Sequence, residues 1–263
     1  MTNAFAALGI DAGSTTTKLV AVDAGGALVW HRVEPTDPRM EAQTRRLIDD
    51  ARASSNGDSS GAALPLVATG YGRNLVAGAD RKVTEITCHA RGVYRRIGHG
   101  GTLIDIGGQD SKVIVIGANG RVLHFAMNDK CAAGTGRFLE VVARRLNMDL
   151  DQFAAEALST AEEAPISSTC TVFAESEIIS LLAHGRPVEQ IVRGLHRSLV
   201  GRIAALARTA SAQPPLLLSG GVARSEAVRR FLGDALGGEV QVPDSPQLMG
   251  AYGAALLALD GNA

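Results

Sequence analysis

The fold is decided by two related stretches of sequence, GIDAGSTTTKLVAV at Gly9–Val22 and LIDIGGQDSKVIVI at Leu103–Ile116. When the chain is aligned with itself, Ile10–Val29 lies on Ile104–Leu123 without a gap, and an acid, a glycine, a hydroxyl–lysine pair, an apolar run and a turn all match. The matched pairs are Asp11 with Asp105, Gly13 with Gly107, Thr17 with Ser111, Lys18 with Lys112 and Gly26 with Gly120. Self-similarity at one fixed offset indicates a duplicated structural unit.

Each copy has the pattern of a strand, a glycine-rich turn, a second strand, a short turn and a third strand. In the first copy the strands are predicted over Leu8–Asp11, Lys18–Asp23 and Ala27–Val33. The short turns Ala24–Gly26 and Ala118–Gly120 contain Gly and Asn, which supply the positive φ angles that hairpin turns need. Two such halves, each followed by helices, predict an α/β protein whose lobes, 1–100 and 101–263, face a central cleft, with the terminal helix able to pack back on the first lobe.

The remaining elements are predicted from hydrophobic periodicity and turn signals. Helices are expected over Met40–Ser54, Glu85–Ile97, Thr135–Leu146, Leu150–Leu158, Ala174–His184, Val188–Ala210 and Ala223–Leu236, and from Pro246 onward. Strands are expected over Leu64–Thr69, Pro215–Ser219 and Glu239–Val242, and a solvated loop over Ser54–Gly61.

The composition excludes several classes of function. Lys plus Arg number 26 and Asp plus Glu number 27, so the formal charge of −1 offers no strong attraction to nucleic acid or anionic lipid. No apolar stretch is long enough to span a membrane, and three cysteines are too few, and odd in number, for a disulfide scaffold. Because the N-terminus also lacks the pattern of a signal peptide, the expected location is the cytoplasm.

The glycine-rich turns of both copies carry groups suited to phosphate. Gly13 and the pair Gly107–Gly108 leave backbone N–H groups open to a ligand, since no Cβ stands in the way. Hydroxyl donors and one positive charge follow in the first copy, at Ser14, Thr15, Thr16, Thr17 and Lys18. One such turn alone is typical of an ordinary hairpin, whereas two matched copies favour phosphate binding from both sides.

Carboxylates at the strand ends indicate a metal-dependent reaction. Asp11 and Asp105 each end a strand just before a turn, where a carboxylate could hold hydrated Mg²⁺. Gln109, an uncharged donor and acceptor, could orient an attacking water. The apolar strand that ends at Gly220–Gly221 offers flat backbone against which an adenine or ribose could lie, near a helix N-terminus.

The motifs GIDAGSTTTK, DIGGQDSK, SGGVARS and the terminal GAYGAALLA together resemble those of the acetate kinase, sugar kinase, heat-shock chaperone and actin superfamily. In that superfamily they form two phosphate motifs, an adenosine motif and the last connecting helix. The resemblance implies duplicated ribonuclease-H-like lobes, as in actin-like ATPases, that bind ATP and Mg²⁺ in a cleft between them. It also implies that Gln247 contacts the nucleotide. No G-x-x-x-x-G-K-[ST] motif occurs, so a Walker-type site is excluded.

Cys131 and Cys170 each precede a predicted helix. At a helix N-terminus the positive end of the dipole and the unpaired N–H groups favour a thiolate or an anionic metal cluster. Two thiolates cannot complete a [4Fe–4S] cluster, which takes four, but a two-fold dimer would supply them. Spacing alone favours the alternative that both are small buried residues, since no C-x-x-C pair is present. Cys88 is interpreted as a packing residue, and its neighbour His89 is expected to point elsewhere on the helix.

The stretches NDKCAAGTGRFLE, STCTVFAESEIISLLA and TEITCHARG resemble the activator, or component A, of 2-hydroxyacyl-CoA dehydratases and the related ATPase subunits of ATP-dependent benzoyl-CoA reductases. The resemblance implies that Cys131 and Cys170 of two subunits, in a homodimer or in a pair with a near relative, hold one bridging [4Fe–4S] cluster. It further implies ATP-driven delivery of a low-potential electron from a ferredoxin or flavodoxin to an iron–sulfur dehydratase or reductase that acts on an acyl-CoA.

Two other classes of function stay open at this point. A small-molecule kinase of the same superfamily, such as a pantothenate or amino-sugar kinase, would use Asp105 as a base toward a substrate hydroxyl, although nothing in the sequence marks a sugar site. A nucleotide-dependent binding module without redox chemistry has no positive signal in the sequence.

Overall fold

The computed structural model describes residues 4–55, 64–167 and 170–261. Its strands are β1 (Ala7–Ala12), β2 (Thr16–Val22), β3 (Leu28–Pro35), β4 (Leu66–Thr69), β5 (Arg81–Lys82), β6 (Gly101–Ile106), β7 (Ser111–Ile116), β8 (Val122–Asn128), β9 (Leu216–Ser219) and β10 (Val240–Gln241). Its helices are α1 (Met40–Ser54), α2 (Glu85–Ile97), α3 (Gly136–Arg145), α4 (Leu150–Leu158), α5 (Thr171–Ala183), α6 (Val188–Thr209), α7 (Glu226–Leu236) and α8 (Met249–Asp260).

Internal contacts divide the described residues into two compact units. Unit 1 is drawn from Met1–Gly100, Ile116–Val122 and Gln247–Ala263, so that it includes α8. Unit 2 is drawn from Gly101–Val115 and Leu123–Pro246.

The sheet of unit 1 has the strand order β3-β2-β1-β4-β5. β1 is antiparallel to β2 and parallel to β4, and β2 is antiparallel to β3. The register places Asp11 opposite Lys18 on one side and opposite Thr69 on the other. Every residue of β1 is buried, as expected for a strand that is covered on both faces.

Helices α1, α2 and α8 complete unit 1. α2 begins after Thr84, whose hydroxyl accepts a hydrogen bond from a backbone amide of the first turn, and ends at Gly98 in the left-handed conformation. A hydroxyl residue before a helix and a glycine after it are the usual start and stop signals. Both α1 and α2 have the predicted bounds.

Glycines allow α8 to pack closely against β1 and α2. A Cβ on Gly9 would overlap the carbonyl oxygen of Ala251, and one on Gly253 would overlap the carbonyl oxygen of Cys88. Backbone therefore lies against backbone at both contacts, which no larger residue would permit.

The sheet of unit 2 has the order β10-β9-β6-β7-β8, with β9 parallel to both β6 and β10. Its apolar side chains pack with α3, α4, α6 and α7 into one core. In that core the ring of His196 lies 4.8 Å from Phe153 and 6.4 Å from Phe231 between centroids. The Nδ1 of His196 donates to the Val192 carbonyl at 2.9 Å.

The predicted α/β class is confirmed, since both copies of the repeat form the expected hairpins. Gly26 and Gly120 have φ angles of 77° and 73° in the short turns, as predicted. α4 has the predicted bounds, and the other strands and helices differ by a few residues. In the part of the chain that the structure describes, no helix is long and apolar enough to cross a membrane.

Three details differ from the sequence-based expectations. α5 begins at Thr171 and not at Ala174. The predicted helix Ala223–Leu236 is a 3₁₀ turn followed by α7, because Ser225 caps α7 with its hydroxyl. β5 consists of two exposed charged residues without an apolar pattern and was not predicted. Most of the expected loop Ser54–Gly61 lies outside the described residues.

We expect one added methyl group at the contact between β1 and α8 to destabilise the protein. Gly9→Ala places a Cβ against backbone atoms of Ala251 and Ala255, so it should lower the free energy of unfolding by about 3 kcal/mol or more. Gly201→Ala is the matched control, because no described atom lies within 4 Å of its Cβ position and alanine should stabilise α6 by about 0.5–1 kcal/mol. Urea unfolding followed by circular dichroism compares the two, and a Gly9→Ala protein as stable as the wild type would contradict this packing.

His196 should make the stability of unit 2 dependent on pH. Burial lowers the pKa of His196 to about 4, from an ordinary value of 6.5. Between these values the unfolded chain binds a proton that the folded chain does not, so stability is lost as the pH falls from 6.5 toward 4. The expected loss at pH 5 is about 2 kcal/mol. Urea unfolding at pH 7 and pH 5 should show a smaller loss in His196→Phe, and equal losses in both proteins would rule out His196 as the source.

Candidate functional site

An ion pair anchors the first glycine-rich turn, which joins β1 to β2. Lys18 Nζ donates to Asp11 Oδ2 at 3.0 Å, and the two side chains are 16% and 6% exposed. The two residues face each other in the strand register. In this structure the Lys18 ammonium group forms an ion pair with Asp11. The sequence had suggested that this group donates a hydrogen bond to phosphate.

The hydroxyl residues of the first turn differ in what they offer a ligand. Ser14 is exposed and Thr16 is half-buried. Thr15 Oγ1 is buried and no described residue bonds to it, which fits an oxygen-rich ligand such as phosphate. Thr17 is fully buried, and its hydroxyl donates to Gln43 Oε1 at 3.2 Å. The hydroxyl of Thr17 thus supports the turn from inside the unit, which corrects the prediction that it donates to phosphate.

Gln43 on α1 organises the first turn and was not predicted. Its Oε1 accepts from Thr17, and its Nε2 donates to the Pro35 carbonyl at 2.7 Å. Thr36 Oγ1 lies 3.2 Å from Thr17 Oγ1 and donates to the Gly13 carbonyl at 2.8 Å. A glutamine on the buried face of a predicted helix is the signal that could have indicated this network, because buried polar groups need partners.

His89 on α2 lies beside Asp11, a neighbour that the sequence did not indicate. A Cβ on Gly250 would lie 2.7 Å from His89 Nε2 and 3.3 Å from Asp11 Oδ2. Both side chains therefore face the same glycine of α8, and both are nearly buried. Sequence reasoning missed this neighbour because only the packing of α8 brings the two residues together.

The second turn repeats the carboxylate–ammonium arrangement. Lys112 Nζ lies 2.7 Å from Asp110 Oδ2 and 3.7 Å from Asp105 Oδ2. Asp105 is buried, and its Oδ1 accepts from the hydroxyl of Ser219 at 2.7 Å. Gln109 is exposed at the tip of the turn. Asp105 thus has a fixed position, while the amide group of Gln109 is accessible to a water or a ligand.

The glycine pair after β9 combines one structural glycine and one open position. Gly220 has a φ of 87°, and a Cβ there would overlap the carbonyl oxygen of Ile106. Gly221 has no described atom within 4 Å of its Cβ position, so the fold itself does not require a glycine there. That open space fits the flat platform predicted for a nucleoside. Gln247 is half-buried in the 3₁₀ turn before α8.

Cys131 is exposed, and its backbone is hydrogen-bonded to the side chain of Asn128. The side-chain amide of Asn128 donates to the Cys131 carbonyl at 2.8 Å, and its Oδ1 accepts from the Cys131 N–H at 3.2 Å. Cys131 is the N-cap of a 3₁₀ turn, Ala132–Gly134, and α3 begins only at Gly136. The first amides of α3 donate to the carbonyls of Gly107 and Gly108 in the second glycine-rich turn, the turn between β6 and β7. This corrects the prediction that Cys131 stands at the N-terminus of an α-helix.

Cys170 is half-buried and is the N-cap of α5. The hydroxyl of the next residue, Thr171, is buried, and none of the described residues bonds to it. The positive end of the helix dipole and this donor both favour an anionic ligand at Cys170.

Exposed apolar side chains border both cysteines. They lie on β8, which leads to Cys131, and on α5, which follows Cys170. They are Leu123, Phe125, Met127, Val172, Phe173, Ile179 and Leu182, from 37% to 71% exposed. Groups of large exposed apolar side chains mark interaction surfaces.

Cys88 differs from the other two cysteines, since it is buried in α2. Burial raises the pKa of the Cys88 thiol to about 12, so it stays a protonated packing residue at neutral pH. Across 4–55, 64–167 and 170–261, no three His, Cys, Asp or Glu side chains cluster as a metal site.

Comparison with known proteins matches residues 8–258 to the BadF/BadG/BcrA/BcrD ATPase family. The chain is 42% identical over 253 residues to the 2-hydroxyisocaproyl-CoA dehydratase activator of Clostridioides difficile, a match that covers 96% of this chain and 94% of the relative.

Solved structures give the same result. The activator of the 2-hydroxyisocaproyl-CoA dehydratase from Clostridium difficile with bound ADPNP is 40% identical at a TM-score of 0.87, with 97% of this chain and 94% of that chain covered. Component A of the Acidaminococcus fermentans (R)-2-hydroxyglutaryl-CoA dehydratase is 39% identical at a TM-score of 0.89, with 97% and 98% covered. The predicted actin-like ATPase fold is confirmed, and the chain belongs to the BadF/BadG/BcrA/BcrD ATPase family.

Proposed function

We propose that this chain is an ATP-hydrolysing activator that delivers one low-potential electron to an iron–sulfur dehydratase or reductase acting on an acyl-CoA thioester. The observation that carries the proposal is the pair of accessible thiols in unit 2, which also holds the second phosphate turn. Cys131 and Cys170 stand at the starts of two helical elements and are bordered by exposed apolar side chains. A phosphotransferase needs no such pair.

Each of the two turns, and the glycine pair after β9, carries groups suited to part of an ATP molecule. The backbone N–H groups of Gly13 and Gly108 and the unbonded hydroxyl of Thr15 supply donors for phosphate oxygens. The N–H of Gly107 donates to the Asp110 carbonyl at 2.9 Å, so Gly107 shapes the turn and its own N–H is not available to phosphate. The open space at Gly221 accommodates the nucleoside. Support also comes from the similarity to an activator that was solved with bound ADPNP. We assign Ser14, Thr16, Gly220 and Gln247 to the same site.

Hydrolysis would depend on groups of both turns. Asp11 and Asp105 would hold Mg²⁺ through its water ligands, and the metal would supply charge neutralisation at the phosphates. Gln109, exposed at the tip of the second turn, would orient the attacking water by donating and accepting hydrogen bonds. Ser219 and Lys112 keep the Asp105 carboxylate in place during this step.

The thiols of Cys131 and Cys170 fit half of a [4Fe–4S] site, and a second copy or a near relative would supply the other two thiolates. When bound, the cluster supplies a one-electron carrier. Asn128 fixes the backbone of Cys131, and the buried hydroxyl of Thr171 would find a hydrogen-bond acceptor in the sulfur environment of Cys170. The apolar side chains on β8 and α5 would then be covered by the partner subunit.

Nucleotide turnover would make electron delivery one-directional. A reduced ferredoxin or flavodoxin is the proposed donor, and the dehydratase or reductase is the acceptor. ATP can change the potential only by binding the reduced and oxidised states with different affinity, which gives about 59 mV for each tenfold ratio. The residues that contact nucleotide must therefore be linked mechanically to the residues that hold the cluster.

Gly221→Ala should weaken nucleotide binding without destabilising the fold. No described atom opposes a Cβ at this position, so only a ligand in the open space would be displaced. We expect the affinity for ADPNP, measured by titration calorimetry, to fall about tenfold or more. Gly201→Ala serves as the control with unchanged affinity. Equal affinities in the two variants would show that the nucleotide does not contact Gly221.

Anaerobic purification tests the redox assignment. We expect a brown protein with about four iron atoms per two chains and an electron paramagnetic resonance signal on reduction. Cys131→Ser and Cys170→Ser should each lose the iron and the signal, because each removes a proposed ligand. Cys88→Ala, which changes the buried cysteine, should keep both. A colourless protein that phosphorylates a small molecule would instead support the kinase alternative.

A further inference from the structure

We infer that Thr135 is a positioning residue that links Cys131 to the nucleotide occupancy of the second phosphate turn. The inference rests on the proposed nucleotide site and concerns how that site acts on one cysteine. Thr135 lies between the 3₁₀ turn that follows Cys131 and the first residue of α3.

The second phosphate turn caps α3. The Gly136 N–H donates to the Gly107 carbonyl at 2.8 Å, and the Arg137 N–H donates to the Gly108 carbonyl at 2.9 Å. Amides at the start of a helix have no partner within the helix, so the turn carbonyls satisfy two of them. When the turn moves, the first residues of α3 must move with these carbonyls to keep the hydrogen bonds.

The same peptide groups would face the phosphates. A peptide unit is planar and trans, so the carbonyl of Gly107 and the N–H of Gly108 point in opposite directions from one rigid plane. The carbonyl of Gly108 and the N–H of Gln109 form the next plane. A phosphate that orients these N–H groups therefore also orients the carbonyls that hold α3.

Thr135 extends this contact to Cys131. Its side chain is fully buried, and Oγ1 lies 3.1 Å from the Gly108 carbonyl oxygen and 2.8 Å from that of Ala132. Its N–H donates to the Ala132 carbonyl at 3.0 Å, and the Gly134 N–H donates to the Cys131 carbonyl at 3.4 Å. One hydroxyl thus contacts both the phosphate turn and the 3₁₀ turn that Cys131 caps.

Ser111 holds the same segment from the other end of the phosphate turn. It is the first residue of β7, it is fully buried, and its hydroxyl donates to the Gly134 carbonyl. Residues 134–137 are therefore held by carbonyls within the turn and by a hydroxyl that follows it. A change in the turn is transmitted through hydrogen bonds at both of its ends.

Hydrogen–deuterium exchange of the full chain, with and without ADPNP, tests this role. In the wild type we expect ADPNP to slow amide exchange in residues 105–112 and in residues 131–137, each by about three- to thirtyfold. Thr135→Val has nearly the same shape but lacks the hydroxyl, so it should keep the slowing at 105–112 and lose it at 131–137. Thr135→Ser retains the hydroxyl and should respond at both segments.

Thr209→Val is the matched control. The Thr209 hydroxyl donates to the Leu206 carbonyl within α6, and Thr209 lines the same cavity of about 360 Å³ as Cys131. This variant should respond as the wild type does. If Thr135→Val does not fold, Ser111→Ala replaces it and should reduce the slowing at 131–137.

The outcomes separate this inference from the proposed function. Slowing at 105–112 without slowing at 131–137 in the wild type, or an unchanged response in the Thr135→Val and Ser111→Ala proteins, overturns the inference and leaves the nucleotide site in place. If ADPNP slows neither segment, the proposed nucleotide site is wrong, and the inference falls with it.

Discussion

In each half of the chain a carboxylate at the end of a buried strand meets an ammonium group from the next strand of the hairpin. Asp105 and Lys112 are almost completely removed from water. Burying such a pair brings little net stability, because desolvation of both charges offsets their attraction. The contacts instead fix the positions of the carboxylates, since Asp11 accepts from Lys18 and Asp105 accepts from Ser219. In the second half Lys112 also contacts Asp110, so one ammonium group faces two carboxylates.

The duplicated turns have different surroundings, although their sequences match. The first turn is supported from within its unit, where Gln43 accepts from Thr17 and Thr36 holds the carbonyl of Gly13. The second turn instead caps α3 and contacts Thr135. The first turn is therefore held by hydrogen bonds to other residues of unit 1. The second turn is hydrogen-bonded to the segment of unit 2 that follows Cys131. Each copy of the repeat thus contributes one glycine-rich turn, and the second turn is hydrogen-bonded to the residues that follow Cys131.

Much of the fold could be predicted because its signals are local. The self-similar stretches, the glycines of the short turns and the periodicity of α1 and α2 each depend on residues close together in the chain. Gln43, His89 and Thr135 could not be placed in the same way, since their roles arise from contacts with residues that are distant in sequence. The 3₁₀ turn after Cys131 was missed for a related reason: helical periodicity starts at α3, and nothing in the pattern shows that the turn carbonyls take the first amides of that helix.

The backbones of Cys131 and Cys170 are held in different ways. Cys170 is the N-cap of α5, so the dipole of that helix acts directly at its position. The first amides of α3 donate to carbonyls of the turn between β6 and β7, so these amides are not available to the sulfur of Cys131. The backbone N–H of Cys131 instead donates to Asn128, and the 3₁₀ turn that follows Cys131 is bonded to the hydroxyl of Thr135. The backbone around Cys131 is therefore connected by hydrogen bonds to the turn between β6 and β7, whereas Cys170 lies at the first turn of α5.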